Sequence, residues 1–373
     1  MKKIKVMHFL SDTNIGGAGK YLITYCKNRN KQNYDVIVVL PEGSFLIPEL
    51  EETGVKIIQL DGLQDKSFDI GAIKKLKKII KDEKPDIVHT HASLSARIAA
   101  RSLKDCKIIY TRHCDFEPSN MYKNGMVRAL NGWFNQKYAD SIIATSEHAK
   151  ENLIKQGIEE SLITVISNGF DGHKVISEAE KNSIRAKYNI TSDEIVIGYL
   201  ARLVELKGHK YLIDSAKILK EKYNDFKFKI LIMGYGNFEQ DLKEYAKEKD
   251  VEDVVIFTGF IKDTGEILNI VDVQVNCSYL SETTNLALIE GLSLGIPSVV
   301  TNIGGNSQIV KDNENGFVVP IQDPEKMAEC LYIITKDPER FEQMRKSAKM
   351  IYDKEFNSKV FAENIEKVYE RII

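Results

Sequence analysis

Short runs of apolar, mostly β-branched residues alternate with longer amphipathic segments over most of this 373-residue chain. Apolar runs of this length are typical of strands buried on both faces of a parallel sheet. The segments between them are long enough for helices that cross over a sheet, and this alternation predicts doubly wound α/β domains. The predicted strands are Ile4–Leu10, Val36–Leu40, Lys56–Leu60, Asp86–His89, Lys107–Tyr110, Ser141–Ala144, Thr164–Ile166, Ile195–Leu200, Phe228–Met233, Val254–Thr258, Val273–Cys277 and Ser298–Thr301.

The predicted strands form two series, separated by the polar segment Ser167–Asp193. This segment contains Asn168-Gly169 and Asp171-Gly172, and such dipeptides mark turns. The length of the chain also suits two domains. We therefore predict two Rossmann-like parallel-sheet domains, residues 1–170 and 171–355. The last segment, 356–373, has helical periodicity and can pack back on the first domain.

Charge is distributed unevenly between the two halves. Residues 1–175 contain 26 Lys and Arg against 21 Asp and Glu, whereas residues 176–373 contain 26 against 33. Either the first half meets an anionic surface or ligand, or the difference is ordinary scatter. The five cysteines form no CxxC pair, which fits a reducing compartment. No segment has the pattern of a signal peptide or a membrane-spanning helix. We expect a cytoplasmic protein, bound to a membrane at most by its surface, with no nucleic-acid partner.

A glycine-rich loop, Ser11–Gly19, follows the first predicted strand and precedes an amphipathic helix. In such a loop backbone N–H groups can approach an anion closely, and the helix N-terminus favours negative charge. Gly16 and Gly17 are the candidate contacts. The pattern is neither the dinucleotide GxGxxG nor the GxxxxGK[ST] P-loop. A phosphate or substrate loop and a glycine turn without a ligand therefore both stay open.

The corresponding loop of the second domain carries cations instead of glycines. Arg202 and Lys207 follow the strand Ile195–Leu200, and open α/β sheets bind ligands at the carboxyl ends of strands. The planar fork of Arg and the point charge of Lys can together neutralise a diphosphate leaving group. The alternative is that both are ordinary solvated cations.

Two glutamates, Glu282 and Glu290, follow the strand Val273–Cys277. The pattern predicts a helix that begins near Thr284, is capped by Thr283 or Thr284, and ends at Gly295. Glu282 would precede this helix, and Glu290 would lie two turns inside it among apolar residues. A buried carboxylate needs a donor, which a ribose diol or a structural cation could supply.

With these motifs the chain resembles the retaining glycosyltransferases of family 4, which share the GT-B fold. The resemblance covers nearly the whole chain and implies two Rossmann-like domains that face each other across a central cleft. It rests on motifs in a fixed order: Gly16-Gly17, Arg202 with Lys207-Gly208, Glu282 and Glu290 with seven residues between them, and Gly304-Gly305.

The resemblance implies roles for individual residues. Arg202 and Lys207 would bind the diphosphate, and Glu282 would contact the transferring sugar. His113 matches the cleft histidine that lies close to the donor sugar, whereas His89 and His91 are predicted to be structural or on the acceptor side. The residues assigned to donor binding are Gly16, Gly17, Gly234, Phe260, Thr283, Thr284, Asn285, Leu286 and Glu290.

The chain departs from the family at the residues that follow Glu282. Many relatives have glycine, an aromatic residue and glycine there, where this chain has Thr283, Thr284 and Asn285. Because the backbone amides of these residues would contact the sugar, the sequence does not identify the donor sugar.

The implied reaction is glycosyl transfer with retention, from a UDP-sugar to a glycan or lipid-linked acceptor in cell-surface glycan assembly. The cations of the protein would stabilise the diphosphate, so neither a metal nor another cofactor is expected. Two alternatives share the fold. One is a hydrolysing UDP-sugar epimerase, and the other is a non-enzymatic nucleotide-sugar-binding protein. The absence of GxGxxG argues against a nicotinamide-dependent oxidoreductase.

Several basic residues of the first half fall on predicted helices, and the only tryptophan, Trp133, lies where cations mix with large apolar side chains. Such a surface could rest on anionic headgroups. Alternatively, the lysines are only solvated, and Trp133 and Phe134 belong to the core. The basic helical residues are Lys74, Lys75, Lys77, Lys78, Lys81, Arg97 and Arg101, and the mixed segment is Met121–Phe134.

Overall fold

The computed structural model describes residues 3–62, 68–91, 93–113, 118–280, 282 and 284–373. The chain divides into two compact units. Unit 1 consists of Met1–Asp171 and Phe356–Ile373, and unit 2 consists of Gly172–Glu355. None of the helices in the described part of the chain is long and apolar enough to cross a membrane.

Unit 1 contains a seven-stranded parallel sheet in the order β3-β2-β1-β4-β5-β6-β7. Alternate residues of β1 are buried on opposite faces of the sheet, which explains why its sequence is apolar throughout. The elements are β1 (Ile4–Leu10), α1 (Gly17–Asn28), β2 (Tyr34–Pro41), α2 (Ile47–Glu52), β3 (Lys56–Leu60), α3 (Ile70–Glu83), β4 (Ile87–His91), α4 (Leu94–Leu103), β5 (Lys107–Arg112), α5 (Gly125–Tyr138), β6 (Ser141–Ala144), α6 (Glu147–Lys155) and β7 (Ile163–Val165).

Unit 2 contains a six-stranded parallel sheet in the order β10-β9-β8-β11-β12-β13. Its elements are α7 (Glu178–Lys187), β8 (Ile195–Leu200), α8 (His209–Lys222), β9 (Phe228–Met233), α9 (Glu239–Glu248), β10 (Val255–Gly259), α10 (Thr264–Leu268), β11 (Val273–Asn276), α11 (Leu286–Ser293), β12 (Ser298–Thr301), α12 (Asn306–Ile309), β13 (Gly316–Val319), α13 (Pro324–Lys336) and α14 (Pro338–Ile351).

The last helix, α15 (Ser358–Ile372), belongs to unit 1 and packs against α1. Its apolar face buries Phe361, Ile365 and Tyr369 in the same core cluster as Val6 and Leu22. The chain therefore completes the first core with its C-terminal residues.

The doubly wound parallel architecture predicted from the sequence is confirmed. All twelve predicted runs are strands, with ends displaced by up to two residues. The strand β13 was not predicted. In both sheets the strand order reverses at the centre, between β1 and β4 and between β8 and β11. Ligands of such sheets bind outside the carboxyl ends of the strands at this reversal. The loops that follow these four strands are therefore the expected ligand-binding loops.

Candidate functional site

In unit 2 the carboxylate of Glu282 is held by side chains from two loops. Its Oε1 accepts hydrogen bonds from Lys207 Nζ at 2.5 Å, Ser278 Oγ at 2.5 Å and Asn276 Nδ2 at 3.2 Å. Lys207 follows β8, whereas Asn276 and Ser278 lie at the end of β11. Only 8% of the Glu282 surface is exposed. The family resemblance assigned Lys207 to the diphosphate and Glu282 to the transferring sugar. The structure places the two side chains in direct contact.

Glycines hold the main chain on both sides of this ion pair. Gly304 has a φ of +52°, and a Cβ there would lie 1.8 Å from the carbonyl oxygen of Glu282. Gly305 donates its N–H to the same oxygen at 2.8 Å. On the other side, a Cβ at Gly208 would lie 2.2 Å from the carbonyl oxygen of Cys277. Only glycine permits these backbone approaches, and they bring Lys207 to Glu282.

A chain of asparagines extends from Glu282 to the start of α11. Asn276 Oδ1 accepts from Asn306 Nδ2 at 3.1 Å, and Asn306 Oδ1 accepts from Asn285 Nδ2 at 3.4 Å. Asn285 also caps α11, because its side chain accepts from the N–H of Leu288. The prediction that Thr283 or Thr284 caps this helix is therefore wrong. Thr284 precedes the cap and is partly buried, and Thr283 lies outside the described residues.

Glu290 lies little more than one turn inside α11, since the helix begins at Leu286. Its Oε2 accepts hydrogen bonds from Thr264 Oγ1 at 2.5 Å and from His173 Nε2 at 3.3 Å. The buried carboxylate is thus partly satisfied within unit 2. Among the described residues none donates to Oε1, so this oxygen remains available to a ligand.

Arg202 lies in the loop after β8, is exposed, and has no side-chain partner among the described residues. The loop itself is fixed by its neighbour after β9, because Leu203 N–H donates to the carbonyl oxygen of Tyr235 at 3.0 Å. A Cβ at Gly234 would lie 2.0 Å from the carbonyl oxygen of Ala201. Close packing against the Arg202 loop therefore explains this glycine without a ligand.

Two exposed aromatic rings lie at the carboxyl ends of β9 and β10. Tyr235 and Phe260 are 61% and 69% exposed, and their ring centroids are 5.5 Å apart at an interplanar angle of 84°. Phe260 was predicted from the sequence, but Tyr235 was not. The sequence does contain a signal that could have identified Tyr235, because it lies between two glycines in the loop directly after β9.

In unit 1, α1 begins at Gly17. Its N-cap is Gly16, which has no side chain to accept a hydrogen bond from the first turn of the helix. A Cβ on Gly17 would meet nothing within 4 Å, and one on Gly16 would meet only Asp12 Oδ2 at 3.6 Å. The packing of the described residues therefore does not require glycine at either position.

His113 follows β5 and is partly exposed. Its Nε2 lies 2.8 Å from Nδ1 of His91, and its ring makes an edge contact with Tyr21 at 4.9 Å. Burial lowers the pKa of His113 to about 3, so the ring is neutral at pH 7. A neutral imidazole can offer a substrate one hydrogen bond, as donor or acceptor, but no positive charge.

Two doubly wound units with charged or glycine-rich loops at their strand ends are the architecture of the GT-B glycosyltransferases. Residues 15–174 match the model of glycosyltransferase family 4, and residues 180–350 match that of glycosyl transferases group 1. The chain belongs to this group 1, family 4 class of glycosyltransferases, as the resemblance in its sequence indicated.

The similarity extends over whole chains. A UDP-Gal:alpha-D-GlcNAc-diphosphoundecaprenol alpha-1,3-galactosyltransferase from Escherichia coli is 27% identical over 90% of this chain and 89% of its own. A capsular polysaccharide biosynthesis glycosyltransferase, CapM from Staphylococcus aureus, is 27% identical over 100% and 98%. Among solved structures, Anabaena HepE in complex with UDP superposes with a TM-score of 0.82 at 18% identity, over 99% of this chain and 100% of that one.

We predict that Gly304→Ala disrupts the surroundings of Glu282. The added Cβ would meet the carbonyl oxygen of Glu282 at 1.8 Å in a backbone conformation that L-residues rarely adopt. We expect a loss of about 2–5 kcal/mol in the unfolding free energy of unit 2, measured by urea denaturation. Gly259→Ala is the control in the same unit, since Gly259 has a φ of +71° but open space around it. A loss no larger than that of the control would contradict the packing role of Gly304.

Proposed function

We propose that this glycosyltransferase moves a sugar from a UDP-sugar to a lipid-linked glycan acceptor in polysaccharide assembly, with retention at the anomeric carbon. The observation that carries the proposal is the Lys207–Glu282 pair, close in sequence to the exposed Arg202, at the central strand ends of unit 2. The activity named for the Escherichia coli relative and the UDP bound by HepE support this donor and acceptor class.

In this reaction the bond between the anomeric carbon and the β-phosphate oxygen breaks, and negative charge develops on the diphosphate. Arg202 and Lys207 stabilise that charge, which makes departure of UDP easier. The acceptor oxygen bonds to the anomeric carbon on the same face, and its proton passes to the departing phosphate. The protein supplies the cations, so the proposal includes neither a metal nor another cofactor.

The remaining residues orient the donor. Oε1 of Glu290 accepts hydrogen bonds from the ribose hydroxyls, and the second carboxylate oxygen of Glu282 contacts the sugar. Phe260 flanks the nucleobase, and His113 is assigned to the donor sugar. The other residues assigned to the donor are Gly16, Gly17, Gly234, Thr283, Thr284, Asn285 and Leu286.

We predict that Arg202→Ala and Lys207→Ala each lower kcat by about 10²–10³, as expected when one stabilising donor is removed. The assay measures UDP released from a panel of UDP-sugars, with and without a lipid-linked acceptor. Lys222→Ala is the control, because Lys222 is an exposed cation at the far end of α8.

Two results would contradict this proposal. Near-normal turnover of both variants would remove the phosphate-binding role. Release of UDP that does not depend on an acceptor would instead identify a hydrolysing enzyme, and the absence of release with every sugar tested would favour a binding protein.

We predict that Glu290→Gln weakens UDP binding about tenfold, since one hydrogen bond to a charged acceptor is lost. The amide oxygen can still accept from Thr264 and His173, so the fold is retained. Isothermal titration calorimetry with UDP gives the affinity, and the exposed Glu252→Gln is the matched control. Unchanged affinity would show that Glu290 is structural.

We further propose that α5 of unit 1 docks on the inner face of an anionic membrane. Met126, Leu130 and Trp133 follow a spacing of four and three residues, and all three are more than half exposed. The alternative that Trp133 belongs to the core is therefore wrong, although Phe134 is partly buried. The segment 118–139 contains three basic residues and no acidic one. An apolar helix face with surrounding cations fits an anionic lipid surface.

Two basic residues predicted for this surface do not contribute to it. Arg97 is buried, donates to Asn135 Oδ1 at 3.1 Å and lies 4.5 Å from the ring centroid of Tyr110. Arg101 pairs with Asp140 at 3.0 Å. The exposed lysines of α3 remain available, as do Lys123, Arg128 and Lys137 around α5.

We predict that the protein floats with anionic vesicles at low salt and is released as salt rises, since salt screens surface charge. Met126→Ala and Trp133→Ala should abolish most of the binding, and removal of each nearby cation should weaken it about fivefold. Met350→Ala, which changes an exposed methionine of unit 2, is the control. Binding that is unaffected by the α5 variants would place the membrane contact elsewhere, and absence of binding would favour a soluble acceptor.

A further inference from the structure

Four histidines stand side by side on one face of the unit 1 sheet. His8 lies on β1, His89 and His91 lie on β4, and His113 follows β5. Their rings are stacked, with centroids 5.3 Å apart for His8 and His91 and 5.1 Å apart for His91 and His113. The rings of α1 and α15, including Tyr21 and Tyr369, cover this face. The cluster thus connects the C-terminal helix to the end of the sheet.

Hydrogen bonds join these side chains into a continuous chain. Nε2 of His113 lies 2.8 Å from Nδ1 of His91, and Nε2 of His91 lies 3.0 Å from Nδ1 of His8. Nε2 of His8 lies 3.3 Å from the hydroxyl of Tyr369. The same hydroxyl lies 2.7 Å from Nδ1 of His89, whose Nε2 lies 2.6 Å from Thr111 Oγ1. Both nitrogens of His8, His89 and His91 are therefore engaged.

The four hydrogen-bonded histidines, His8, His89, His91 and His113, are neutral, because burial lowers the pKa of each far below its usual value. A neutral imidazole has one N–H and one accepting nitrogen. His113, His91 and His8 bond directly to one another, so one direction fixes all three: either all three carry the proton on Nδ1, or all three carry it on Nε2. The Tyr369 hydroxyl has one proton and two acceptor lone pairs, so it can donate to His8 or accept from it. If it donates to His8, then His89 must carry its proton on Nδ1; if it accepts from His8, both tautomers of His89 satisfy the bonds.

The Nε2–H form is the tautomer that neutral histidine prefers in water, and only the Nε2–H arrangement places His8, His91 and His113 in that favoured state. We infer that His91, His8 and Tyr369 are positioning residues that fix His113 as the Nε2–H tautomer, with Nδ1 free to accept a hydrogen bond from a substrate hydroxyl. This inference rests on the proposed role of His113 in transfer. A substrate hydroxyl would then bind to the His113 ring, and the hydrogen bond to His91 would fix both the orientation and the tautomer of that ring.

The same histidines also invite comparison with a metal site, since one nitrogen from each of His8, His89 and His91 lies within 4.8 Å of the others. The hydrogen bonds argue against this use. Both ring nitrogens of each of these three histidines are already engaged by neighbouring side chains, whereas a metal requires ligand nitrogens that are free to coordinate it.

The test uses the full-length protein labelled with ¹⁵N-histidine, because ring ¹⁵N shifts at pH 7 distinguish the two tautomers. The chain has seven histidines, so each signal can be assigned by substitution. We expect Nε2–H for His113 in the wild type, a mixture in His91→Leu, and recovery of one form in His91→Gln, whose amide can both donate and accept. His148→Gln, on α6, is the control.

Activity provides the second readout. His91→Leu should lower kcat about tenfold, the effect of one lost hydrogen bond, with unchanged UDP affinity. Tyr369→Phe removes one hydroxyl with little change in shape. It should also give a mixture of the two tautomers of His113. His91→Gln should recover most of the lost turnover.

Two outcomes would overturn the inference. One is an unchanged His113 tautomer in both His91→Leu and Tyr369→Phe. The other is stoichiometric binding of Zn²⁺ that shifts the signals of His8, His89 and His91 together, which would identify a metal site. The NMR readout does not depend on transfer. An inactive wild-type protein with the expected tautomers would therefore contradict the proposed function and leave the positioning chain supported.

Discussion

The buried carboxylate of Glu282 is the constraint on which the site of unit 2 depends. A carboxylate that is only 8% exposed must be compensated, and here the compensation comes from an ammonium, a hydroxyl and an amide. These donors lie on the loops after β8 and β11, and the glycines after β12 press against the main chain of Glu282. Three separate loops are thereby held in one arrangement, and Arg202 lies in the first of them.

The parallel sheets could be predicted from the sequence because their strands are buried on both faces and are therefore apolar throughout. The strand β13 lacked this signal. It begins with a glycine directly after the polar segment Lys311–Asn315, a combination that is typical of a turn. The start of α11 was misplaced for a different reason. Several adjacent residues can cap a helix, and the contact between Asn285 and the distant Asn306 is not visible in the sequence.

The candidate residues of the site could be found one at a time, but not their partners. Lys207 and Glu282 are 75 residues apart, and their contact depends on two loops that meet only once β8 and β11 are adjacent. The histidine chain is similar. His8 and His91 become neighbours only because β1 pairs with β4, so knowledge of the strand order must come before the pattern can be recognised. Tyr369 reaches the chain from the opposite end of the sequence.

The return of α15 to unit 1 has a consequence for the order in which the protein folds on the ribosome. Domains generally fold as they emerge, with the N-terminal one first. Here unit 1 lacks Phe361, Ile365 and Tyr369 until the segment that follows unit 2 is translated, whereas unit 2 is a single continuous segment. Unit 2 can therefore reach its native state first, while the nascent unit 1 waits with an uncovered apolar surface. Until α15 has been synthesised, that surface is open to contact with other apolar surfaces in the cell.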